Sequence, residues 1–267
     1  MRRIGMPIRL FAMPRLQTVA APTVALAAVV FASLCACSVA RAACVADSAP
    51  ARPHLVELYS SEGCSSCPPA ESWLRTLHTG ADVVPLEFHV DYWDDLGWKD
   101  RFSDSRYTAR QNEQARRDGG NSVFTPQIVL DGRNWSGWYR SGHLAPPAQA
   151  NVAMHLSIDT AAGHVHAEST SRPMAGQQLD GYRSYIALVE DDLATQVRAG
   201  ENRGTLLKHD HVVRAFSGPL PFARANIDLP IPSDMNLEDA MLVAFVQSPH
   251  TGDVAQVVVL PLAQCRR

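Results

Sequence analysis

The spacing of apolar residues in the first part of the chain predicts strands that alternate with helices. The run 54–60 (HLVELYS) is rich in β-compatible residues and predicts a short strand. The next segment has apolar residues at the i, i+3, i+4 and i+7 positions of a helix that stops at Gly80; they are Ala70, Trp73, Leu74 and Leu77. The run 82–93 (DVVPLEFHVDYW) predicts a second strand. A right-handed crossover would make these two strands parallel.

A second helix and a third strand follow. The stretch 103–120 (SDSRYTARQNEQARRDGG) predicts a charged helix that Ser103 or Ser105 caps and that the paired glycines end. The run 123–133 (VFTPQIVLDGR) predicts a strand that opens at a proline and turns at Asp131 and Gly132. Residues 43–147 are therefore predicted to form an α/β domain.

From residue 148 onward the pattern changes to short strands without a long helix. Seven candidate strands follow one another: NVAMHLSID, HVHAEST, YRSYIALV, TLLKHDHVVRAF, RANIDLPI, DAMLVAFVQS and DVAQVVVLPL. The stretch 141–150 (SGHLAPPAQA) contains Gly and Pro and is typical of a linker. The pattern predicts an all-β, sandwich-like C-terminal domain over residues 148–267.

The N-terminus predicts export. Residues 1–42 contain five arginines and no acidic residue, an apolar run at 24–34, and Ala40 and Ala42 in A-x-A spacing, which is typical of a secretory signal peptide. We expect a periplasmic or secreted protein. The sequence LCAC at 34–37 loosely resembles a lipobox, so membrane attachment is expected only if Cys37 is lipidated.

Charge excludes one class of partner. Cleavage after Ala42 leaves 19 basic against 27 acidic residues, a formal charge of about −8. Nucleic-acid binding needs a basic stripe, and none is visible in the sequence. We therefore expect no nucleic-acid partner.

Four cysteines remain after cleavage, and two of them form a C-x-x-C pair. In the segment YSSEGCSSCPPAESWL, Cys64 and Cys67 lie between the first strand and the first helix. The N–H groups of a helix's first turn favour a thiolate, so Cys64 is predicted to attack a substrate disulfide and Cys67 to resolve the mixed disulfide. Two alternatives stay open: an inert disulfide, and a Cu(I) or Zn(II) site in which both thiolates bind the metal, with His89 as a possible further ligand.

The other two cysteines lie near the ends of the mature chain. Neither Cys44 nor Cys265 belongs to a motif, and in an oxidising compartment a free thiol would mispair with Cys64. A Cys44–Cys265 disulfide is therefore the expected pairing.

Three further groups of residues are candidates for a metal-binding, thiol-tuning or peptide-binding role. Glu87, His89, Asp91 and Trp93 share one face of the second strand. If that face meets the cysteines, His89 and Asp91 tune the thiols or complete a metal site; the favoured interpretation is that they cap a loop and hydrogen-bond the end of the sheet. His164 with His166, and His209 with His211, have H-x-H spacing on predicted strands; a solvated or hydrogen-bonded strand face is favoured over metal binding. Six aromatic residues form either a peptide-binding rim or a core cover: Tyr92, Trp93, Trp98, Trp135, Trp138 and Tyr139.

Three segments together resemble a known family. ELYSSEGCSSCPPAESWL, FHVDYWDDLGWKDRF and FTPQIVLDGR are similar to the exported bacterial thioredoxin-like family catalogued as domain of unknown function 1223. The resemblance implies a thioredoxin-like fold for residues 43–147, with Thr125 and a cis Pro126 facing the disulfide. It also places Glu57 near the buried acid that thioredoxins hold beneath the disulfide, where it would relay a proton to Cys67. The favoured alternative is that the alternation along LVELY turns Glu57 toward solvent. The segment NWSGWYRSGHLAPPAQA departs from this fold, because it does not have the pattern of a closing helix.

These observations together predict an exported thiol–disulfide oxidoreductase or a redox-regulated relative. Its expected substrates are protein or peptide thiols and disulfides, with a separate redox partner. Exchange between sulfur atoms needs no cofactor. A non-catalytic binding protein with an inert disulfide is the alternative outside the redox and metal classes.

Overall fold

The strand that precedes the two cysteines is buried along its whole length and lies inside a large mixed sheet. The computed structural model describes residues 44–265. Its first eight strands are β1 Cys44–Asp47, β2 Ala51–Arg52, β3 His54–Ser60, β4 Val83–His89, β5 Gln127–Leu130, β6 Arg133–Asn134, β7 Ala148–Gln149 and β8 Val152–Ala161. The others are β9 His164–Pro173, β10 Arg183–Glu190, β11 Leu193–Gln196, β12 Leu206–His209, β13 Val212–Leu220, β14 Arg224–Pro230, β15 Ala240–Gln247 and β16 Val254–Pro261. The α-helices are α1 Pro68–Leu74 and α2 Ser105–Arg117, and short 3-10 helices cover Asp94–Leu96, Gly137–Tyr139 and Leu262–Cys265.

Eight strands form the main sheet, in the order β16-β15-β10-β13-β4-β3-β5-β6. As predicted, β3 and β4 are parallel, with His54 opposite Val83 and Ser60 opposite His89. The other side of β4 pairs with β13, where Val212 lies opposite Glu87 and the Glu87 N–H donates to the His211 carbonyl at 2.7 Å. This short parallel contact joins the two halves of the chain into one sheet.

The predicted fold class, an α/β thioredoxin-like domain followed by a separate all-β sandwich-like domain, is wrong. Residues 44–265 are mostly β, with 43% of them in strands and 14% in helices. Moreover, β10, β13, β15 and β16 continue the sheet that β3 and β4 begin, so the expected boundary at 147/148 runs through one sheet. Local patterns predicted most of the longer strands and missed the short strands β1, β2, β7 and β11. They contain no information about which strand pairs with the free edge of β4.

A second, four-stranded sheet with the order β1-β8-β9-β14 covers part of the main sheet. Alternate residues of β8 are buried, and they share a core with residues of β10, β15 and β16. Representative members are Leu156, Val165, Ile186, Leu242 and Leu260. All seven predicted C-terminal strands are present, although the segment TLLKHDHVVRAF contains two, β12 and β13. The sandwich-like packing therefore exists, but it is built onto the common sheet.

The two helices lie against opposite faces of β3. Val56 and Leu58 pack with residues of α1, whereas Leu55 and Tyr59 belong to the core that includes Tyr107 of α2. The helix α1 ends at Leu74 and not at Gly80. The hydrogen bonds that follow, from Thr76 N–H to Trp73 and from Leu77 N–H to Leu74, are those of turns. Side chains on the two faces of β3 therefore contact different helices and different neighbours.

The cap of α2 differs from the predicted one, whereas the β5–β6 turn agrees with the prediction. The cap of α2 is Asp104, whose side chain accepts the Arg106 N–H, and not Ser103 or Ser105. The β5–β6 turn has positive φ at Asp131 and Gly132, as the Asp-Gly pair predicts. After β6, only the 3-10 turn at Gly137–Tyr139 precedes β7, in agreement with the absence of a helical pattern there.

The predicted Cys44–Cys265 disulfide is confirmed. The Cα atoms are 5.2 Å apart although the residues are separated by 221 positions in the chain. The bond links β1 to the 3-10 helix that follows β16, and both cysteines pack against the core between the two sheets. The predicted signal peptide and the candidate lipid site at Cys37 lie outside the described residues. Within residues 44–265, no helix has both the length and the apolar character needed to cross a bilayer.

The two edges of the main sheet meet at a pair of glycines. Gly132 lies in the β5–β6 turn, and Gly252 lies between β15 and β16 at the other edge. A Cβ atom on Gly132 would be 1.8 Å from the Gly252 carbonyl oxygen. The side chain of Arg133 adds an exposed salt bridge to Asp253 at 2.8 Å. The sheet is thus curved until its terminal hairpins touch.

We predict that Gly132→Ala destabilises the protein much more than Gly163→Ala. Both glycines have positive φ, +83° and +78°, but nothing lies within 4 Å of a Cβ placed on Gly163. The control variant therefore measures only the effect of a left-handed backbone, which lowers the free energy of unfolding by roughly 1–2 kcal/mol. The clash at Gly132 lowers it further, by about 1–3 kcal/mol. Urea denaturation measures both variants. Equal losses of stability would show that the close contact between the hairpins does not constrain the fold.

Candidate functional site

The C-x-x-C pair lies in the loop between β3 and α1. Cys67 is the N-cap of α1, and the two prolines that follow occupy the first helical positions, where a missing N–H is tolerated. The Cys64 N–H donates to the Ser61 carbonyl, and the Cys67 N–H donates to the Cys64 carbonyl. This tight turn brings the two Cα atoms to 5.5 Å, and the sulfurs form a disulfide.

Both sulfur-bearing residues are buried, whereas the residues between them are exposed. Cys64 and Cys67 have 0% relative exposure. Ser65 and Ser66 lie at the surface above them. A reactant would therefore meet two hydroxyl groups first, and contact with a sulfur requires the loop to move.

Thr125 and Pro126 lie next to the loop that carries the two cysteines. Their peptide bond is cis. The Ser66 hydroxyl is 3.4 Å from Cys64 Sγ and donates to the Thr125 carbonyl at 3.5 Å. The Trp93 indole N–H donates to Thr125 Oγ1 at 2.8 Å. The structure thus brings Thr125 to the loop of Cys64 and Cys67, through a contact with Ser66 that spans 59 positions of the chain.

A third segment, for which the sequence predicts no functional role, covers the cysteine loop. The Asn202 side-chain amide donates to the carbonyls of Glu62 and Cys64, at 2.9 and 3.0 Å. The carboxylate of Glu201 accepts the Ser65 N–H at 3.1 Å. Both residues belong to the connection between β11 and β12. We call residues 197–205 the covering segment; its turn residues Glu-Asn-Arg-Gly predict a loop but not its target.

Glu57, the fifth predicted site residue, lies elsewhere. It shares the α2 side of β3 with Tyr59, whereas the cysteine loop leads into α1 on the other side. Its carboxylate accepts two hydrogen bonds from Arg110, at 2.6 and 2.9 Å, and one from the Tyr59 hydroxyl. Glu57 is therefore a buried acid, but its partner is a guanidinium and not a cysteine.

The α1 side of the sheet carries a different set of buried polar residues, which we call the carboxylate–imidazole cluster. Its members are Glu62, Glu71, Glu87, His89, Asp100 and His209, and each is at most 3% exposed. The strand β4 supplies Glu87 and His89, β12 supplies His209, and the cysteine loop and α1 supply Glu62 and Glu71. The cluster thus lies between the disulfide loop, the sheet and the hairpin that bears the covering segment.

His209 is central to this cluster. Its ring nitrogens are 3.6 Å from Glu87, 3.7 Å from Glu62 and 3.8 Å from Glu71, measured to the nearest carboxylate oxygens. His89 Nε2 is 3.2 Å from Glu87 Oε1, and the His89 and His209 rings are 5.0 Å apart. All the charges of this group therefore act on one another over a few ångströms.

Mutual interaction moves the pKa values of the cluster in opposite directions. Burial, together with the neighbouring Glu87 charge, raises the pKa of Glu71 to about 7. Burial opposes ionisation of Glu87, but His89 and His209 lower the pKa of that carboxyl to about 2. Burial opposes the charged form of both imidazoles, but the adjacent carboxylates raise the pKa of His89 and of His209. The cluster is therefore a strongly coupled buried site of the kind that functional sites often contain.

The remaining sequence candidates divide between the site and the scaffold. Of the H-x-H pairs, half-buried His164 and exposed His166 both approach the Asp228 carboxylate at the surface, in agreement with the favoured interpretation. His209 is buried in the cluster, whereas His211 hydrogen-bonds the Leu77 carbonyl. Asp91 does not join the cluster; its carboxylate accepts a bond from Thr108.

The aromatic residues divide in the same way. Trp93 contacts Thr125, and the Trp98 indole N–H donates to Glu62 at 2.7 Å, so both lie near the disulfide. Trp135 and Trp138 instead pack against Trp73 of α1, with ring centroids 5.6 and 6.4 Å apart. The predicted aromatic rim is therefore only partly assembled beside the cysteines.

One sequence signal could have identified the cluster. Glu87 and His89 interrupt an otherwise apolar run in a strand that is buried on both faces. Charged residues are almost never fully buried without partners, so this interruption predicts a buried polar partner. The identity of that partner, His209, depends on the β4–β13 pairing, which no local pattern indicates.

Comparison with known proteins gives a family and a fold. The family model described as "Protein of unknown function (DUF1223)" matches residues 55–247. A crystal structure of a protein from Agrobacterium tumefaciens is 27% identical, over 79% of this chain and 94% of that chain, with a TM-score of 0.53. HBP35 of Porphyromonas gingivalis is 13% identical, over 80% of this chain and 76% of that chain, with a TM-score of 0.55, and is similar in fold alone. No curated protein matches the chain significantly.

We predict that Glu57→Gln lowers stability without changing the reactivity of the disulfide. Removal of one partner leaves the Arg110 guanidinium, 4% exposed, without its counter-ion, which costs roughly 3–5 kcal/mol. The control Glu168→Gln, which removes an exposed pair with Arg224, costs about 0–1 kcal/mol. Denaturant unfolding measures stability, and the rate of Cys64–Cys67 reduction by dithiothreitol under native conditions measures reactivity. If the disulfide of Glu57→Gln is reduced more slowly than that of wild type, and that of Glu168→Gln is not, Glu57 does relay a proton to the cysteines.

Proposed function

The chain belongs to the family described as protein of unknown function (DUF1223), and from that premise we propose that it exchanges thiols and disulfides through Cys64 and Cys67. One observation carries the proposal: the Ser66 hydroxyl, 3.4 Å from Cys64 Sγ, donates to the carbonyl of Thr125, so this backbone segment borders the disulfide loop. Such a backbone segment can pair with a substrate peptide while a sulfur of that peptide approaches Cys64.

The reaction needs only sulfur chemistry. A substrate thiolate attacks Cys64 Sγ; the new mixed disulfide forms as the Cys64–Cys67 bond breaks, and Cys67 leaves as a thiolate that takes up a proton. A second substrate thiolate then attacks the substrate sulfur of the mixed disulfide and releases Cys64. Two electrons pass from the substrate dithiol to the cysteine pair. In the reverse direction, Cys64 attacks a substrate disulfide and Cys67 resolves it, so a dithiol or disulfide partner must restore the starting state.

The compartment and the surface support this assignment. Two disulfides within residues 44–265 are compatible with an exported protein, because oxidising compartments preserve them. Exposed apolar side chains flank the Thr125 segment and the loop after β4; they are Tyr92, Leu96 and Phe124. Such residues fit an unfolded or flexible peptide better than a small polar substrate. Protein or peptide thiols are therefore the proposed substrates.

A second candidate function is favoured by the burial of both sulfurs. A disulfide with no exposed surface under a hydrogen-bonded covering segment is the arrangement of a structural crosslink. In that case the protein is a non-catalytic binding module, and the exposed aromatic residues contact its partner. The two functions differ in one measurable property, namely whether the native disulfide turns over.

We predict that the mature protein catalyses disulfide exchange and that Cys64→Ser abolishes it. Reduction of a protein disulfide at the expense of a dithiol, and oxidation of a reduced model protein, are the two assays. Cys67→Ser should accumulate a mixed disulfide at Cys64, because the resolving thiol is absent. The control Cys44→Ser/Cys265→Ser lacks the other disulfide and should keep activity. If wild type and Cys64→Ser are indistinguishable in both assays, the crosslink function is correct.

We also predict that Asn202→Ala accelerates reduction of the Cys64–Cys67 disulfide. The variant removes both hydrogen bonds that join the covering segment to the cysteine loop. Each contributes about 1 kcal/mol, so the loop opens roughly ten- to thirtyfold more often. Stopped-flow reduction by dithiothreitol gives the rate, and Thr205→Ala, exposed on the same segment, is the control. An unchanged rate in Asn202→Ala would mean that the covering segment does not control access.

A further inference from the structure

The carboxylate–imidazole cluster contains buried polar atoms that have no hydrogen-bond partner. Among the described residues these include both ring nitrogens of His209, Nε2 of His89 and both carboxylate oxygens of Glu87. All three residues are 0% exposed. Buried polar atoms are nearly always satisfied, because an unpaired one costs the free energy of its lost hydration. One atom of each residue faces the other two, namely Glu87 Oε1, His89 Nε2 and His209 Nδ1, so a single partner placed among them can satisfy all three.

We propose that Glu87, His89 and His209 bind a divalent transition-metal ion of the zinc class. Each can offer one ligand atom, and these atoms lie within 4.8 Å of one another. Two imidazoles and a carboxylate are a frequent ligand set for Zn(II). Neither the thiol–disulfide exchange nor the sequence comparisons assign a metal to these residues.

The distances between the ligand atoms fit a small tetrahedral ion. Ligands about 2.0–2.1 Å from a tetrahedral zinc ion are roughly 3.3–3.4 Å from one another. Glu87 Oε1 is 3.2 Å from His89 Nε2 and 3.6 Å from His209 Nδ1. Only small side-chain movements are needed to place an ion between them. A fourth ligand is close to hand, since the carboxylate of Glu71 is 3.8 Å from His209 Nδ1.

Asp100 orients His89 as outer carboxylates orient metal-binding histidines. His89 Nδ1 is 2.6 Å from Asp100 Oδ2, and Asp100 is itself held by the backbone N–H groups of Glu62 and Phe102, at 2.8 and 2.9 Å. A proton on Nδ1 that is donated to Asp100 leaves Nε2, the unpartnered atom, as the lone-pair donor. Such carboxylate–histidine pairs fix both the tautomer and the ring orientation at metal sites.

The charge of the cluster also calls for a cation. Four carboxylates, of Glu62, Glu71, Glu87 and Asp100, lie close to the two imidazoles. No Lys or Arg in the described part of the chain forms a salt bridge with any of the four; their ion-pair partners are His89 and His209. A divalent ion supplies as much positive charge as two imidazolium protons, and it leaves both histidines neutral and able to coordinate. The rival state has protons on both rings and no metal.

The position of the site assigns it a structural role. The proposed ligands come from β4 and β12, with Glu71 of α1 beside them. The ion would join the hairpin that bears the covering segment to the sheet beneath the disulfide. A site enclosed in this way would be loaded as the chain folds, and binding energy would add to folding stability.

The test starts with wild-type protein, exported with both disulfides intact and purified without chelators. Elemental analysis should find a single equivalent of metal per chain. Protein freed of metal by unfolding with a chelator and refolded without it should take up one Zn(II), with a rise in melting temperature that depends on the zinc concentration. Substoichiometric metal together with an unchanged melting temperature would overturn the inference and favour the doubly protonated cluster.

Variants locate the ion. His209→Gln and His89→Gln should lose both the bound metal and the zinc-dependent thermal shift. The control His164→Gln/His166→Gln removes the surface histidine pair beside Asp228 and should keep both. Loss of the metal in the control and not in His209→Gln would place the ion at the surface pair and refute the proposal.

Cobalt substitution identifies the ligands even if a cluster variant fails to fold. Wild type loaded with Co(II) should show the intense visible bands of a tetrahedral site without a sulfur-to-cobalt charge-transfer band. A sulfur band would place the ion at Cys64 and Cys67 and overturn the assignment. Because these measurements use no redox assay, an absence of disulfide exchange leaves their outcome unaffected, and absence of metal leaves the exchange proposal standing.

Discussion

The buried ion pair between Glu57 and Arg110 is the contact on which the joined sheet depends. Arg110 bonds Glu57 through two nitrogen atoms and donates a further bond to Gln247 at the end of β15. Its guanidinium also lies 5.1–5.3 Å from the ring centroids of Tyr185, Phe216 and Phe245. Burial opposes the charged guanidinium, but Glu57 raises the pKa of Arg110 above its ordinary value. Because an unpaired buried charge is costly, α2 and strands from both halves of the chain must assemble together.

On the opposite side of the same strands, the buried charges are not balanced by a guanidinium. Facing α2, one carboxylate meets one guanidinium and the charges are balanced. Facing α1, four carboxylates meet two imidazoles, so the balance depends on protons or on a metal ion. The strand β4 separates these regions: Phe88 belongs to the apolar core, whereas Glu87 and His89, its neighbours, point to the other side. The first arrangement suits a permanent scaffold, and the second suits a site whose state can change.

The disulfide loop lies at the junction of these parts and is therefore coupled to all of them. Glu62 illustrates this coupling, since its side chain approaches His209, its backbone N–H bonds Asp100, and its carbonyl accepts a bond from Asn202. Movement that exposes Cys64 must disturb at least one of these contacts. Access to the sulfurs, the charge state of the cluster and the position of the covering segment are consequently parts of one structural equilibrium.

The sequence by itself determined the local elements and the covalent links. Runs of β-compatible residues predicted the longer strands, and Asp131-Gly132 predicted the hairpin. The count and spacing of cysteines predicted both disulfides, because these features depend on neighbouring residues or on thiol chemistry alone. Only the tertiary structure decided that β13 pairs with β4, that Glu57 faces Arg110 and not the cysteines, and that His209 joins Glu87 and His89. Those outcomes depend on which distant strand forms hydrogen bonds with the free edge of β4, and on which buried charged side chains pair with one another. Both are settled by the free energy of the whole fold and not by local propensity.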